Sequence, residues 1–482
     1  MQLNNQFLLK NQCLINGQWV ENGAHRIKVF NPSNGELIES VPSVSETQIS
    51  FAISSASKAI ETWKHLAADE RSILLRKWYS LIMANESDLA QIMSNEQGKP
   101  IEEALQEVRY GASYVEWFAE EAKRINGDIL PGKSVNNRIF VTKEPVGVCG
   151  LITPWNFPNA MIARKMAPAL AAGCTIIAKP SEETPLSAFA LAELACVAGF
   201  PKGVINIITG DAKKIGEFLT SSPLVHKISF TGSTKVGEVL KAQCIPTHKR
   251  TSMELGGNAP FIIFNDANLE KAVHSLMHAK FRNSGQTCIS ANRVLVQKKI
   301  FPQFIEAVKQ AVSELIIGDP YVQDVKIGPL INEVAVKKVD RLVQDAIRNG
   351  AELIVGGQVS ELGSCFYEPT ILIDIRSDMA IFNEEIFGPV LAILTFDEEE
   401  EILELANHTN AGLAAYLFTK DVTRIFRISR ELQFGMIGVN TGSISYASVP
   451  FGGAKYSGEG REGSKYGIEE YLELKSIVLT SV

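Results

Sequence analysis

The sequence predicts an α/β protein of two Rossmann-like, doubly wound parallel-sheet domains plus a small β element suited to oligomerisation. Three observations lead there. Strand-like and helix-like stretches alternate from residue 146 to 264 and again from 268 to 419, and extended segments at 128–142 and in the tail stand outside both series. A chain of 482 residues is also too long for one small domain.

Near the start, runs at 13–20 and 27–30, with turns at Asn16-Gly17 and from Asn31 to Gly35, suggest a hairpin. From 45 to 126 the spacing becomes helical. Leu74, Leu75, Trp78, Leu81 and Ile82 recur three and four apart, and Gly98-Lys99-Pro100 breaks the run between helices. In the first alternating series the strand-like runs are 146–152, 175–179, 204–209, 225–230, 251–255 and 260–264. Helix-like segments 159–172, 185–198, 211–221 and 233–243 separate them. The second series has helices 268–283, 301–315, 333–349 and 399–407 and strands 294–297, 351–355, 392–396 and 415–419. In sheets of this kind ligands bind at the carboxyl ends of strands. That rule singles out 153–158, 179–182 and 230–233. The tail is glycine-rich from 446 onward and then extended, ending in the apolar strand 477–479.

Composition excludes several classes. The apolar share is 45% and the charged share 21%, ordinary for a soluble globular chain. A net charge of −7 argues against nucleic-acid binding, which needs a basic face, and Lys213-Lys214 and Lys337-Lys338 read as solvated helix surface. Seven cysteines without a Cys-x-x-Cys pair imply a reducing, cytoplasmic setting. The polar first ten residues do not form a signal peptide, and the apolar run 166–178 contains Pro168 and is too short to span a bilayer.

Some motif matches fail on context. Gly458, Gly460 and Gly463 spell the dinucleotide glycine pattern, but no strand precedes them and no room for a βαβ unit follows. Gly232 to Gly237 resembles a phosphate loop with Glu238 in the lysine position; it follows a strand and opens a helix, so its N–H groups suit a pyrophosphate. His274 and His278 are four apart, yet Ser275 stands where a zinc protease needs glutamate and no third ligand is present, so no metal site is expected.

Four segments carry chemistry. Cys288 follows Gly285-Gln-Thr in a small, polar stretch past a helix end, an open setting for a nucleophilic thiol; free cysteine is equally at home as a small buried hydrophobe. Glu254 ends an apolar strand before two glycines, where desolvation would raise its pKa toward that of a general base; an ordinary salt bridge is the alternative. Asn156, between Trp155 and two prolines, is a rigid amide donor for an oxyanion or part of an Asx turn. Lys179 and Glu182 close another strand and suit the hydroxyls of a ribose, or form an exposed charged pair.

Taken together and in this order, these segments resemble the signature set of the aldehyde dehydrogenase superfamily, and Asn383 to Pro389 and Pro450 to Gly453 extend the resemblance toward the C-terminus. The resemblance implies that Cys288 attacks an aldehyde to give a thiohemiacetal, with the Asn156 amide and the Cys288 N–H stabilising the oxyanion. Hydride transfer to NAD or NADP leaves a thioester, and Glu254 activates the water that hydrolyses it. Cofactor contacts fall on Trp155, Asn156, Lys179, Ser181, Glu182, Gly232, Ser233, Leu255, Glu385 and Phe387. Within the superfamily the nearest resemblance is to the succinate-semialdehyde dehydrogenases, carried by 281–288 and 460–468. It implies that Arg164, Arg282 and Ser445 hold the distal carboxylate of the substrate, a task suited to guanidinium groups. Ser290 stands where several relatives have a second cysteine, which removes a redox switch. Glu182 favours NAD because a carboxylate repels the 2′-phosphate of NADP.

The expected domains are then a cofactor-binding domain (1–124 and 142–255), a catalytic domain (256–445) and a bridging element (125–141 and 446–482) that supports a homodimer or homotetramer. Glutarate semialdehyde or another aldehyde is the alternative substrate. A cofactor-independent thiol esterase is disfavoured by Lys179, Glu182 and Glu385, and a binding protein on an inactive scaffold by Cys288 and Glu254.

Overall fold

The computed structural model describes residues 1–21 and 25–480, so 481 and 482 of the expected bridging element lie outside the described residues. The chain opens with two hairpins where the sequence suggests one. Strands β1 (Cys13–Ile15) and β2 (Gln18–Val20) meet at Asn16-Gly17, both with positive φ, the backbone that a tight two-residue hairpin demands. Strands β3 (Arg26–Phe30) and β4 (Leu37–Pro42) form the second. Four helices follow: α1 (Glu46–Trp63), α2 (Ala68–Ala84), α3 (Glu86–Gln97) and α4 (Ile101–Glu121). Gly98 ends α3 in the left-handed conformation, and Lys99-Pro100 starts the next helix as the sequence predicts. Then come the antiparallel strands β5 (Asp128–Pro131) and β6 (Asn137–Pro145).

The first alternating series gives strands β7 (Val148–Ile152), β8 (Thr175–Lys179), β9 (Ile205–Ile207), β10 (Lys227–Thr231) and β11 (Arg250–Glu254). Its helices are α5 (Ala160–Ala172), α6 (Leu186–Ala198), α7 (Ala212–Ser221) and α8 (Thr234–Cys244). The five strands are parallel in the order β9-β8-β7-β10-β11, with β1 and β2 added antiparallel beyond β9. The order reverses between β7 and β10, the switch point at which doubly wound sheets open a crevice. Fully buried Glu96, at the end of α3, accepts the N–H groups of Leu186 and Ser187 and so caps α6 with a carboxylate. Helix α5 is buried on every side, which suits its alanines and methionines but leaves Arg164 and Lys165 needing a counter-charge. Glu462 meets both at 2.5 Å. Without it each cation would face a penalty of about 3–5 kcal/mol.

The run at 260–264, which alternation appends to the first series, belongs to the second sheet as strand β12 (Ala259–Ile263). Its neighbours are β13 (Ala291–Gln297) on one side and, later in the chain, β19 (Ala414–Phe418) on the other; after β13 comes the small pair β14 (Ile316–Ile317) and β15 (Val325–Ile327). The sheet is completed by β16 (Glu352–Val355), β17 (Thr370–Ile373), β18 (Val390–Phe396), β19 (Ala414–Phe418) and β20 (Met436–Val439), all parallel except edge strand β16. The helices are α9 (Leu269–Phe281), α10 (Phe301–Ser313), α11 (Glu333–Arg348), α12 (Ala380–Asn383), α13 (Glu399–Asn407) and α14 (Val422–Glu431). Phe261 and Ile263 enter one core and Ile262 and Phe264 another, so both sheet faces are covered and the strand can be apolar throughout. Strands β17 and β20 and helix α14 have no counterpart in the sequence reading; short strands and a strongly charged helix leave weak periodic signals.

The tail does several things. Strand β21 (Gly458–Glu459) pairs with the edge of β11, so the glycine pattern there is mostly loop. After α15 (Ser464–Glu469), Ile468, Tyr471 and Leu472 pack into the first core, and β22 (Leu472–Thr480) runs antiparallel along the whole of β6. The three-stranded sheet β22-β6-β5 exposes Ile129, Leu130, Leu474, Ile477, Val478 and Leu479.

Candidate active site

The two large sheets meet end to end. Strand β11 delivers Glu254 at its carboxyl end, and after four intervening residues the chain starts β12. The second sheet turns its amino ends toward this junction: Cys288 precedes β13 and Glu385 precedes β18. The rule that ligands gather at carboxyl ends holds for the first sheet only. Glycines allow the closeness. A Cβ on Gly257 would lie 2.1 Å from the Cys288 carbonyl oxygen, and one on Gly285 would lie 2.2 Å from that of Gly388.

A cavity of about 260 Å³ opens at the junction, lined among others by Trp155, Asn156, Gly232, Ser233, Glu254, Leu255, Cys288, Glu385 and Phe387. Nine of the residues singled out in the sequence therefore share one wall. A wider polar cleft of about 560 Å³ adjoins it through Gly256 and Glu385. Lys179, Ser181 and Glu182 lie outside the lining, at the end of β8 beside β7. There the Lys179 ammonium meets the Glu182 carboxylate at 2.7 Å, and Ser181 Oγ accepts the Glu183 N–H.

The Asn156 Nδ2 donates to the Gln286 carbonyl oxygen at 2.9 Å, which leaves it a second N–H and ties it to the loop of the thiol. Burial pushes the Cys288 thiol up to about 12; Arg164 and Arg282 pull it down, and Glu385 and Glu254 oppose them. Glu254 is buried, and neither carboxylate oxygen has a hydrogen-bond partner among the described residues. Burial first, and then nearby Glu462, hold its carboxyl well above the usual range against the pull of Arg164, Lys165 and Arg461. A carboxylate shifted in that direction is a stronger base than an exposed one.

On the cofactor side Ser233 caps α8, its Oγ accepting from Val236, so the first amides of that helix face outward from Gly232. Glu385 accepts the Gly257 N–H at 2.9 Å, and burial raises its carboxyl. Asn292 fixes the chain around it, donating to the Glu384 carbonyl at 2.9 Å and accepting from the Ile386 N–H at 3.0 Å. Phe387, at φ 58°, meets Trp155 edge to face with centroids 5.5 Å apart, joining the two sheets across the cavity mouth.

A second cavity of about 190 Å³ lies behind the thiol, lined by Tyr110, His278, Arg282, Ile289, Tyr416 and Ser445 among others. Cys288 and Ile289, adjacent in sequence, line the two cavities in turn. The Arg282 guanidinium sits 5.2 Å from the Phe157 ring and has no ion pair among the described residues. Ser445 Oγ bonds the Tyr110 hydroxyl, which also accepts from Arg164 at 3.3 Å. Arg164 lines neither cavity; it is paired with Glu462 and lies over the Phe451 ring, so it reaches the pocket only through Tyr110.

The sequence reading missed Lys99, Glu103, Glu107, Tyr110, Asn292 and Glu462, which hold these groups in place. The one available signal was the i, i+4, i+7 spacing of Glu103, Glu107 and Tyr110 on a single helix face.

Comparison with known proteins adds the following. The profile of the "Aldehyde dehydrogenase family" matches residues 19–477. The chain is 51% identical over 476 residues to the succinate-semialdehyde dehydrogenase [NADP(+)] of Escherichia coli (strain K12), covering 98% of this chain and 99% of that one. It is 48% identical to a glutarate-semialdehyde dehydrogenase of Pseudomonas aeruginosa, with both chains covered in full. A crystal structure of an aldehyde dehydrogenase from Brucella melitensis biovar abortus 2308 superimposes with a TM-score of 0.99 at 52% identity, again over the whole of both chains.

Proposed function

Since the chain belongs to the aldehyde dehydrogenase family, we propose that it oxidises a short aldehyde with a distal carboxylate, succinate semialdehyde to succinate, as a step of 4-aminobutyrate breakdown. The observation that carries the substrate class is Arg282: an unpaired guanidinium in a small cavity directly behind the thiol, with the Ser445 hydroxyl beside it. Such a cation attracts an anionic end, and the small volume of the cavity limits the length between anion and aldehyde. Arg164 serves the same end from behind, by orienting Tyr110.

The chain's own residues account for the acid–base steps. Glu254 accepts the thiol proton and Cys288 Sγ attacks the aldehyde carbon. The free N–H of Asn156 and the N–H of Cys288 hold the oxyanion. NAD or NADP, when bound, supplies the hydride acceptor. Glu385 fits the nicotinamide ribose, Phe387 and Trp155 the ring, the amides after Gly232 and Ser233 the pyrophosphate, and Lys179, Ser181 and Glu182 the adenosine end; Leu255 forms the floor. The buried, unpartnered carboxyl of Glu254 supports this fit, since it has room to meet a water in the lined cavity. Once the thiol proton has passed to solvent, Glu254 takes a proton from that water, which attacks the thioester; the acid leaves and the expelled Cys288 thiolate recovers a proton. Glu182 tilts the choice to NAD, although the relative from Escherichia coli is named for NADP(+).

Glutarate semialdehyde, one methylene longer, is the second reading, favoured by the relative at 48% identity. A single methylene discriminates by about 10- to 200-fold at most. Steady-state rates with succinate semialdehyde, glutarate semialdehyde and butanal, with both cofactors, test the proposal. Arg282→Ala is expected to lower kcat/KM for succinate semialdehyde about 10- to 100-fold and to lower that for butanal much less, by the shared effect of losing a cation near the thiol. Equal losses on both aldehydes would remove the clamp.

The cytoplasmic setting and the homo-oligomer belong to the same proposal. All seven cysteines are free, no helix among the described residues is long and apolar enough to cross a membrane, and the apolar residues on β5 and β22 suit pairing with a second copy. Light scattering on the purified protein would show a dimer or tetramer; a monomer would refute the assembly.

A further inference from the structure

One stripe of α4 reaches the Arg282 cavity and the turns that carry Asn156 and Cys288. Glu103, Glu107, Tyr110 and Tyr114 recur at three- and four-residue spacing and so share a face. Tyr110 lines the cavity of Arg282, and the Tyr114 hydroxyl bonds that of Tyr110 at 2.9 Å. The two glutamates face the turns that carry Asn156 and Cys288.

Glu107 is buried, and its Oε1 accepts the N–H groups of Asn159 and Ala160 at 3.0 and 3.1 Å. Its other oxygen pairs with the buried Lys99 ammonium. Lys99 in turn donates to the Asn156 carbonyl oxygen at 2.9 Å and lies 4.1 Å from the Phe157 ring. A single ion pair thus grips both ends of the segment 156–160. One turn earlier on α4, Glu103 accepts the Asn283 N–H at 2.7 Å. Asn283 and Ser284 are left-handed, a strained turn that needs such an anchor, and it leads directly to the thiol. Asn283 closes the ring by donating Nδ2 to the same Asn156 carbonyl at 2.8 Å.

A buried lysine–glutamate pair loses about as much in desolvation as it gains in attraction, so its use is placement more than stability. A helix is a rigid spacer, and α4 belongs to the first core while Asn283 leads into the second sheet. We infer that Lys99, Glu103 and Glu107 are positioning residues that set the separation of the Asn156 amide and the Cys288 thiol across the sheet junction. This rests on the reading that these two groups act on one carbonyl. Tolerances there are narrow: a misplacement of about 1 Å costs on the order of 100-fold in rate.

The test uses the full-length enzyme with butanal, which makes no demand on Arg282. In Glu103→Ala, kcat is expected to fall about tenfold or more. The KM for NAD and the rate of Cys288 alkylation by iodoacetamide should stay within about twofold, because neither depends on the oxyanion geometry. Glu103→Gln, which keeps an acceptor for the Asn283 N–H, should restore kcat. Lys99→Met and Glu107→Gln should show the same split; if they fail to fold, the Glu103 pair decides alone. An unchanged kcat in Glu103→Ala overturns the inference, and so does a loss shared by kcat, KM and alkylation. A wild-type enzyme without Cys288-dependent aldehyde oxidation would instead sink the proposed function, and this inference with it.

Discussion

The first sheet brings its carboxyl ends to the site and the second brings its amino ends. At the carboxyl ends the functional groups come in contiguous clusters: Thr153 to Pro158 after β7, Lys179 to Glu182 after β8, Gly232 and Ser233 after β10. These turns open toward helix N-termini, where unpaired amides favour an anionic cofactor. At the amino ends Cys288 and Glu385 stand alone on loops that enter strands, and each is fixed from outside, Cys288 by the anchored Asn283 turn and Glu385 by Asn292 and Gly257. A binding surface can be built from repeated backbone geometry. A single reacting atom needs side chains recruited from elsewhere to place it.

Removing the reacting atom breaks the comparison most sharply. Cys288→Ala should lower aldehyde oxidation by about a thousandfold or more while NADH binding, followed by its fluorescence, persists. Binding lost together with activity would show that the amino ends also build the cofactor site. Asn156→Ala, from the carboxyl side, should reduce kcat about 100- to 1,000-fold if its amide serves the oxyanion, with little change in the KM for NAD.

The pH profile addresses both sides together. Burial raises Cys288 to about 12, so the thiol is protonated at neutral pH, and burial raises Glu254 as well. Alkylation of Cys288 in the free enzyme should therefore accelerate about tenfold per pH unit from pH 7 to 10 without a plateau. Arg282→Ala should slow it, since a cation that lowers the thiol pKa is lost. A plateau near pH 8 would mean that the thiolate is stabilised by more than these arginines. The smallest effect is expected after β8, where Glu182→Ser should shift the NAD-to-NADP preference about tenfold toward NADP, the work of one charge at partial exposure. An unchanged ratio would locate cofactor choice elsewhere.

Both alternating series were legible, and observed boundaries mostly fall within a few residues of those expected. Strand β12 closes the first alternation along the chain but falls within the expected catalytic domain (256–445), and it joins the second sheet. Of the site, Cys288, Glu254, Asn156, Glu385 and Phe387 were found through motifs and come together in one cavity. Arg164 was found but not its engagement, since its partner Glu462 lies 298 residues away in the tail. The α4 stripe was visible only as helix spacing, and nothing local distinguishes a glutamate on a solvated face from one that anchors a distant turn.

By itself the sequence determined the strand–helix alternation and the candidate reactive residues, because periodicity and motif spacing are properties of neighbours in the chain. The tertiary structure alone decided that the second sheet meets the first by its amino ends, that Arg282 stays unpaired while Arg164 does not, and that Lys99 and Glu107 grip the Asn156 turn. Those outcomes depend on burial and on charges brought together from far apart in the chain, and neither is encoded within any one segment.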